Sequence, residues 1–491
     1  MSSYYVDTVQ HLQGKDVVTI AAGATCAYLG DERNLREFVV ADEVARHVRR
    51  NGQTAVTLLV DDSLDPLNYR QLRVAVNKDP LLLERFESWC GKPIAYLPDP
   101  WGCCESYADH FEQELLSRLH YLDCHPTLIR TAKLYERGVY APYVRQVLEQ
   151  ADEIRDFLHQ NFKGYEPEKL FWVLCPKCDY IDCTSIEKVH GNTVHYHCSR
   201  CDTSSSISID DLRGKLNWKF DCAARWVICN IDAEAFSKAY MEPQTGSFVV
   251  SQAISKRFFG GHDVYPLFYG LIKMENKHSL QLLDSLPRNT LRKMLTDHPT
   301  ADIKLTRDLV VTMASRYEVM PNLTYRDFVK QLLPMWLMTP DRLHWRQREL
   351  VTHGIAFSKN FLREEIQLHL PTAEQFEDEK PAVLRALCFL LKQSVTVREL
   401  NLGAEEAYAK ISEVINELGA HKMAVLKRLR VIVGQEKGMT AARILLLLPD
   451  AYLNMLMYIL ELLLENQILT TAQSKRIADT SIDMDGALVH H

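Results

Sequence analysis

The sequence predicts an α/β fold: a parallel sheet, interrupted by a helical and cysteine-rich insertion and followed by an all-α C-terminal region. Three observations predict it. Val17–Ile20 and Ala55–Val60 are short apolar runs rich in β-branched residues, the signature of buried strands. A helical stretch, Arg36–Arg50, lies between them and is stopped by Asn51-Gly52. From residue 286 onward, helical patterns dominate. Strand, helix and strand with short connections imply a parallel pair joined by a right-handed crossover. The segment Gly23–Phe38 then occupies the place of a first phosphate-handling loop. Asp61-Asp62 fall at the carboxyl end of the second strand, where open α/β sheets place ligands.

The 491 residues suffice for two to four domains, each with a sizeable core. With 47% hydrophobic and 25% charged residues, the composition is that of a globular protein. A net charge of −7 gives no global attraction to nucleic acid, so DNA is not expected as a partner and RNA contact must come from local basic patches. The start, Met1–Asp7, lacks a basic and an apolar region, so no secretory signal is expected. The most apolar tract, Ile444–Leu464, is broken by Pro449, Asp450, Asn454 and Glu461 and reads as buried helices rather than a membrane span. Thirteen scattered cysteines, an odd number, suit a reduced cytoplasmic protein with a metal site.

The first α/β half covers 1–95, a helical insertion 96–170, a cysteine-rich ribbon 171–212 and the second α/β half 213–285. A helical connecting region, 286–375, leads to a helical domain, 376–491, across the charged stretch Pro371–Pro381. Within the ribbon, Cys175-Pro-Lys-Cys178 and Cys198-Ser-Arg-Cys201 are two C-x-x-C knuckles. Each sets two thiolates on one tight turn, and together they make a tetrahedral S₄ site that favours structural zinc over iron. A region this small needs such a cross-link for stability. Cys183, His195 and His197 are nearby alternative ligands or surface residues. Cys103-Cys104 have no histidine tied to them by sequence, so packing is their expected role.

Several segments, in order, resemble the class I lysyl-tRNA synthetase family. Gly23, Thr25, Asn34, Arg36 and Glu37 match its Gly-x-Thr, His-x-Gly-Asn and Phe-Arg-Glu elements. Val60-Asp61-Asp62-Ser-Leu-Asp65-Pro66 is similar to its Trp-Asp-Asp-x-Asp element. Pro98–Phe111 matches almost letter for letter, Leu134–Tyr140 is a further match, and Lys215–Asp221 with Arg225-Trp226 resemble the run after the zinc insertion. The resemblance spans roughly residues 15–275 and implies a Rossmann-type class I aminoacyl-tRNA synthetase catalytic domain with a helical and zinc-ribbon insertion. It also implies ATP, lysine or an analogue, and tRNA as ligands. A weaker match, Val433–Gly438 followed by Leu445–Leu448, resembles the family's helical tRNA-binding domain. Lys422, Lys427, Arg428, Arg430, Lys437 and Arg443 there form a basic stretch suited to RNA phosphates.

The chain departs from the family at three places. Asp31 stands for the signature histidine and Arg33 for its glycine. Asp232, Glu234 and Lys238 are kept, but Ser237, Ala239 and Tyr240 replace Gly, Asp and His, and Cys222 replaces an aromatic residue. Lys273-Met274-Glu275-Asn276-Lys277 keeps the opening Lys-Met of the mobile loop and loses both serines. Candidate nucleotide or amino-acid contacts are therefore Gly23, Thr25, Asn34, Asp61, Asp62, Asp232, Lys238, Lys273 and Lys277; Asp61 and Asp62 can equally be turn-forming residues, and the two loop lysines surface residues. No catalytic residue is assigned. Three changes in one pocket point to a tRNA-binding relative deficient in lysine activation. The alternatives are a divergent active lysine–tRNA ligase, or an enzyme that uses the pocket without tRNA.

Overall fold

The computed structural model describes residues 3–30, 32–163, 165–240, 245–274, 281–336, 344–362, 376, 379–400, 402–433, 440–464, 480–482 and 488–490. The chain forms two compact units: Met1–Lys273 with Arg292–Lys304, and Met274–Leu291 with Leu305–His491.

In the first unit the strands are β1 (Val17–Ala24), β2 (Thr54–Asp61), β3 (Thr127–Arg130), β4 (Phe171–Val173), β5 (Thr184–His190), β6 (Thr193–Cys198), β7 (Thr203–Ser208), β8 (Gly214–Leu216), β9 (Ala233–Ser237) and β10 (Tyr265–Tyr269). The main sheet runs β10-β9-β1-β2-β3, and every neighbouring pair is parallel. The expected β1–β2 pair is present in full register, Val17 opposite Thr54 through Ala24 opposite Asp61. The helix between them, Glu32–Arg50, buries Leu35, Val39, Val44 and Val48 at helical spacing. The insertion 96–170, expected to be helical, also contributes the short edge strand β3.

Chain order reverses at β1. The chain leaves it towards β2 and returns on the other side as β9. That switch point opens a crevice at the carboxyl ends of β1 and β9. The insertion is tied to the same body by a shared core. Val194, Tyr196 and Ile209 of the ribbon, and Tyr140, Val147 and Leu158 of the insertion helices, pack with Phe220, Ala223, Val250 and Ile254 from two helices that flank the sheet. β4 pairs with β8, and β5-β6-β7 form an antiparallel sheet.

The second unit is mostly helical among its described residues. Pro381–Glu399, Ala404–Glu417, Lys422–Ile432, Ala441–Leu447 and Asp450–Leu464 bury Leu387, Leu391, Ile411, Leu429, Leu445, Leu453 and Leu460. No single described helix is long and apolar enough to cross a membrane; Ala441–Leu447 and Tyr452–Leu464 pass that test only as a pair bent by 110°.

Arg36 is 1% exposed and faces backbone rather than acid. Its guanidinium donates to the carbonyls of Gly270 (2.6 Å), His298 (2.7 Å), Ala301 (3.0 Å) and Leu295 (3.2 Å). It thereby holds the segment after β10 against the helix Glu32–Arg50. Gly270 fits because a Cβ there would meet the Ala301 carbonyl oxygen at 2.3 Å. Arg36→Leu orphans four carbonyls and is expected to cost at least about 3 kcal/mol. Urea unfolding checks this, and an unchanged midpoint would contradict the assignment.

Candidate functional site

A cavity of about 790 Å³ occupies the crevice at the carboxyl ends of β1, β2, β9 and β10. Its floor is an ion network. Arg225, 1% exposed on the helix Trp218–Ile228, reaches Asp62 (3.0 Å), Glu234 (2.8 Å) and Asp221 (3.9 Å). Trp226 Nε1 donates to the other Glu234 oxygen. Lys215, equally buried, pairs with Asp65, which also accepts a hydrogen bond from Thr25 Oγ1 at 2.9 Å. Asp221 accepts one from the Tyr135 hydroxyl at 2.7 Å. Four carboxylates thus meet two cations, leaving the floor electronegative. Gly23, at the end of β1, looks directly onto this network: a Cβ there would lie 3.7 Å from both Arg225 Nη2 and Glu234 Oε1.

Glu37 lines one wall and accepts a 2.6 Å hydrogen bond from Tyr269, the last residue of β10. Burial pushes its carboxyl from 4.5 up to about 8; the Tyr269 hydroxyl offsets this in part, and the neighbouring Glu234 adds to it. Asp61 sits behind the floor with its carboxylate on Cys26 N (3.2 Å) and Ser63 Oγ. Burial, then the nearby Glu112, raises it from 3.8 to about 8. Arg33, Asn34, Trp218, Ser237 and Tyr240 also line the cavity, with the Trp218 and Tyr240 rings edge-on at 5.8 Å.

The sequence-predicted residues therefore separate. Gly23, Thr25, Asn34 and Asp62 line the cavity. Asp61 does not, being buried behind it. Asp232 precedes β9 at the opposite end of the strand and does not line the cavity; its carboxylate takes Thr19 N (2.8 Å) and Lys15, joining strand starts. Lys238 lies 5.8 Å from the Phe268 ring, and Lys273 pairs with Asp302 at 3.4 Å; neither lines the cavity. Asp31 and Lys277 lie outside the described residues. Arg225, Lys215, Glu234 and Tyr269 were not among the predicted site residues, because their roles arise from distant segments converging. Arg225, Lys215 and Glu234 do fall within matched runs, which is the available signal.

Two thiol clusters stand apart from the cavity. The ligand atoms of Cys175, Cys178, Cys198 and Cys201 all lie within 4.8 Å of one another. The Cys175–Cys201 and Cys178–Cys198 sulfurs are 3.7 and 3.6 Å apart. This donor set fits tetrathiolate zinc. The second cluster, Asp99, Cys103, Cys104 and His110, meets the same 4.8 Å limit. Cys103 is exposed and its Sγ is 3.1 Å from His110 Nδ1, which corrects the expectation of packing. The Asp99 carboxylate accepts from the backbone N–H of Cys103 (2.7 Å) and Cys104 (2.8 Å). The spacing Asp-x₃-Cys-Cys-x₅-His was its sequence signal.

Of the C-terminal basic stretch, Arg428 pairs with Glu379, Lys422 donates to Asn416 at 2.7 Å, and Lys427 is exposed. Lys437 lies outside the described residues.

The family model described as "tRNA synthetases class I (K)" matches residues 5–318, more than half of the chain. A lysine–tRNA ligase of Archaeoglobus fulgidus is 32% identical over 251 residues, 50% of this chain and 48% of the relative. One of Methanosphaera stadtmanae is 28% identical over 269 residues, 54% of this chain and 48% of the relative. The alignments thus span about half the length of these relatives. A glutamate tRNA ligase structure from Elizabethkingia meningosepticum overlays 92% of this chain and 100% of its own, but at a TM-score of 0.35 and 12% identity it adds nothing to the fold described above.

The raised Glu37 carboxyl has a stability consequence. The folded chain keeps a proton that the unfolded chain releases above 4.5, so stability falls as pH rises from 4.5 to about 8. Glu37→Gln is expected to gain stability relative to wild type progressively across that window, up to about 5 kcal/mol at its top, and nothing below it. Asp61 has the same sign, so a slope remains until Asp61→Asn is added. Urea midpoints at both ends of the window check this; a pH-independent difference would refute it.

Proposed function

Since the chain belongs to the class I tRNA synthetases of the lysine type, we propose that it is a lysyl-tRNA synthetase-like, tRNA-binding protein. Its cavity holds a lysine-like amino acid, and it is deficient in ordinary ATP-dependent activation of that amino acid. The observation that carries this reading is the division of the cavity. Its floor keeps Asp62 and Glu234 around Arg225, with Asp65 beside them and Glu37 on the wall, an excess of acid that attracts an ammonium group. Activation needs something different: donors that stabilise charge as a carboxylate attacks the α-phosphate of ATP. Of the lysines expected to do this, the two that are described turn elsewhere, Lys238 to Phe268 and Lys273 to Asp302. The rim instead carries Arg33, Ser237 and Tyr240. Gly23 and Thr25 still leave room for a nucleotide, so ATP binding without turnover is compatible with this reading.

One observation favours an active divergent ligase instead. Arg33 lines the cavity, and an arginine there can meet phosphate charge. ATP–pyrophosphate exchange with lysine separates the two. Background exchange is expected, and robust exchange overturns the deficiency. Lysine binding, measured calorimetrically, is expected to strengthen as pH rises towards about 8, because an ammonium beside Glu37 favours its carboxylate and drives the proton off. Glu37→Gln is expected to weaken binding by about 10- to 100-fold. No binding in wild type would overturn the amino-acid reading. Association with tRNA is expected to weaken with salt, and its absence at low ionic strength would leave the tRNA-free enzyme as the better description.

The two thiol clusters are proposed as metal sites. Zinc in the Cys175, Cys178, Cys198, Cys201 set would cross-link the knuckles. The Asp99, Cys103, Cys104, His110 set has a mixed donor set that also suits zinc. Elemental analysis is expected to find both; Cys178→Ser and His110→Ala should each remove one equivalent and spare the other. A protein that purifies metal-free from zinc-supplemented medium would contradict both assignments.

A further inference from the structure

The ribbon holds one sulfur more than a tetrahedral site needs. Cys183, in the turn before β5, has its Sγ 3.6 Å from Cys198 Sγ, the same separation as Cys178 from Cys198. Yet Cys183 falls outside the four whose ligand atoms share one 4.8 Å neighbourhood. The turn is held there by its backbone: the Cys183 carbonyl accepts from Ser199 N at 3.0 Å and from Ser199 Oγ at 3.1 Å. The next residue, Thr184, pairs across β5–β6 with Cys198 itself. Cys198 is buried and Cys183 half-buried, while Ser199 and Arg200 beside them are exposed, so a small oxidant meets Cys198 when the knuckle turn opens locally.

We propose that Cys198 and Cys183 form a reversible oxidation site for hydroperoxides, with Cys183 as the resolving thiol of the metal knuckle. The inference rests on the zinc reading of the four knuckle cysteines. The Cys198 thiolate attacks the peroxide O–O bond; an S–O bond forms, and hydroxide or alkoxide leaves. The Cys183 thiol then attacks the sulfenic sulfur; the S–S bond forms, and water departs with the thiol proton. One hydroperoxide is reduced by two electrons and two thiols become one disulfide, which a small thiol reductant reverses by exchange. Cys183 is the suited resolving group because its sulfur is not one of the four needed for the metal. Cys178, at the same distance, would have to give up a metal bond first. The disulfide removes one of four thiolate ligands and so loosens the site.

The test treats the full-length, zinc-loaded protein with hydrogen peroxide. Zinc release is followed with a chromogenic chelator, and disulfides are mapped by mass spectrometry of an unreduced digest. Wild type is expected to release one zinc more than Cys178→Ser, which lacks the ribbon's metal, with a Cys183–Cys198 cross-linked peptide, reversed by thiol reductant and added zinc. Cys183→Ser is expected to keep its zinc content, release it several-fold more slowly, and accumulate over-oxidised Cys198. Release from Cys183→Ser at the wild-type rate, or a Cys178–Cys198 cross-link in wild type, overturns the proposal. Should the ribbon carry no zinc as purified while the Cys183–Cys198 bond still forms, the zinc reading fails and the thiol pair stands. Zinc bound without that bond forming has the opposite meaning.

Discussion

The first unit depends on the burial of one guanidinium. Arg225 is sealed at the crevice with 1% exposure, a position that would be prohibitive for an unpaired charge. Its partners come from three places in the chain: Asp62 just after β2, Glu234 in β9, and Asp221 one turn back on its own helix. β2 and β9 are not neighbours; β1 lies between them. The guanidinium therefore braces the sheet across its central strand and docks the helix Trp218–Ile228 on the result. The atoms that do this are also the floor of the cavity. Loss of Asp62 or Glu234 would leave a buried positive charge short of a partner, so the same residues are constrained by folding and by ligand chemistry at once.

Much of the sheet was legible in the sequence. Val17–Ile20 and Ala55–Val60 carry enough β-branched apolar residues to declare themselves, and the helix between them leaves only a parallel arrangement. The strand β3 was not legible, because four residues, Thr127–Arg130, are too few to show a period. The candidate site was legible in part, for a related reason. A motif gives residues in order but not the end of the sheet at which each emerges. Asp232, just before β9, and Glu234, within it, stand two apart and belong to different sites: one joins strand starts at Thr19 and Lys15, the other meets Arg225 in the crevice. Lys215 and Thr25 meet through Asp65 across 150 and 40 positions, which no local pattern encodes.

The ribbon corrects a simple view of small metal modules. Its size argues that a metal must supply its stability, and its cysteines are arranged to accept one. Yet Val194, Tyr196 and Ile209 enter a core shared with the insertion helices and with the helices that cover the sheet. The knuckles are thus the outer edge of a larger body. Losing a ligand at that edge is expected to disturb the tips, Cys175–Cys178 and Cys198–Cys201, more than the β-sheet beneath them. This is the circumstance in which thiol chemistry at the edge can proceed without unfolding the rest.

Gly23 brings these threads to one atom. A Cβ at that position would sit at ordinary contact distance, 3.7 Å, from Arg225 and Glu234, so a methyl group there would not break the fold. It would, however, stand between the cavity and its charged floor. With no side chain there, Gly23 leaves this part of the floor open to the cavity, and a methyl group would narrow the opening without changing the charges around it. Access and recognition are thus carried by different atoms in this crevice. The chain can lose the first while its electrostatics and its sheet remain intact.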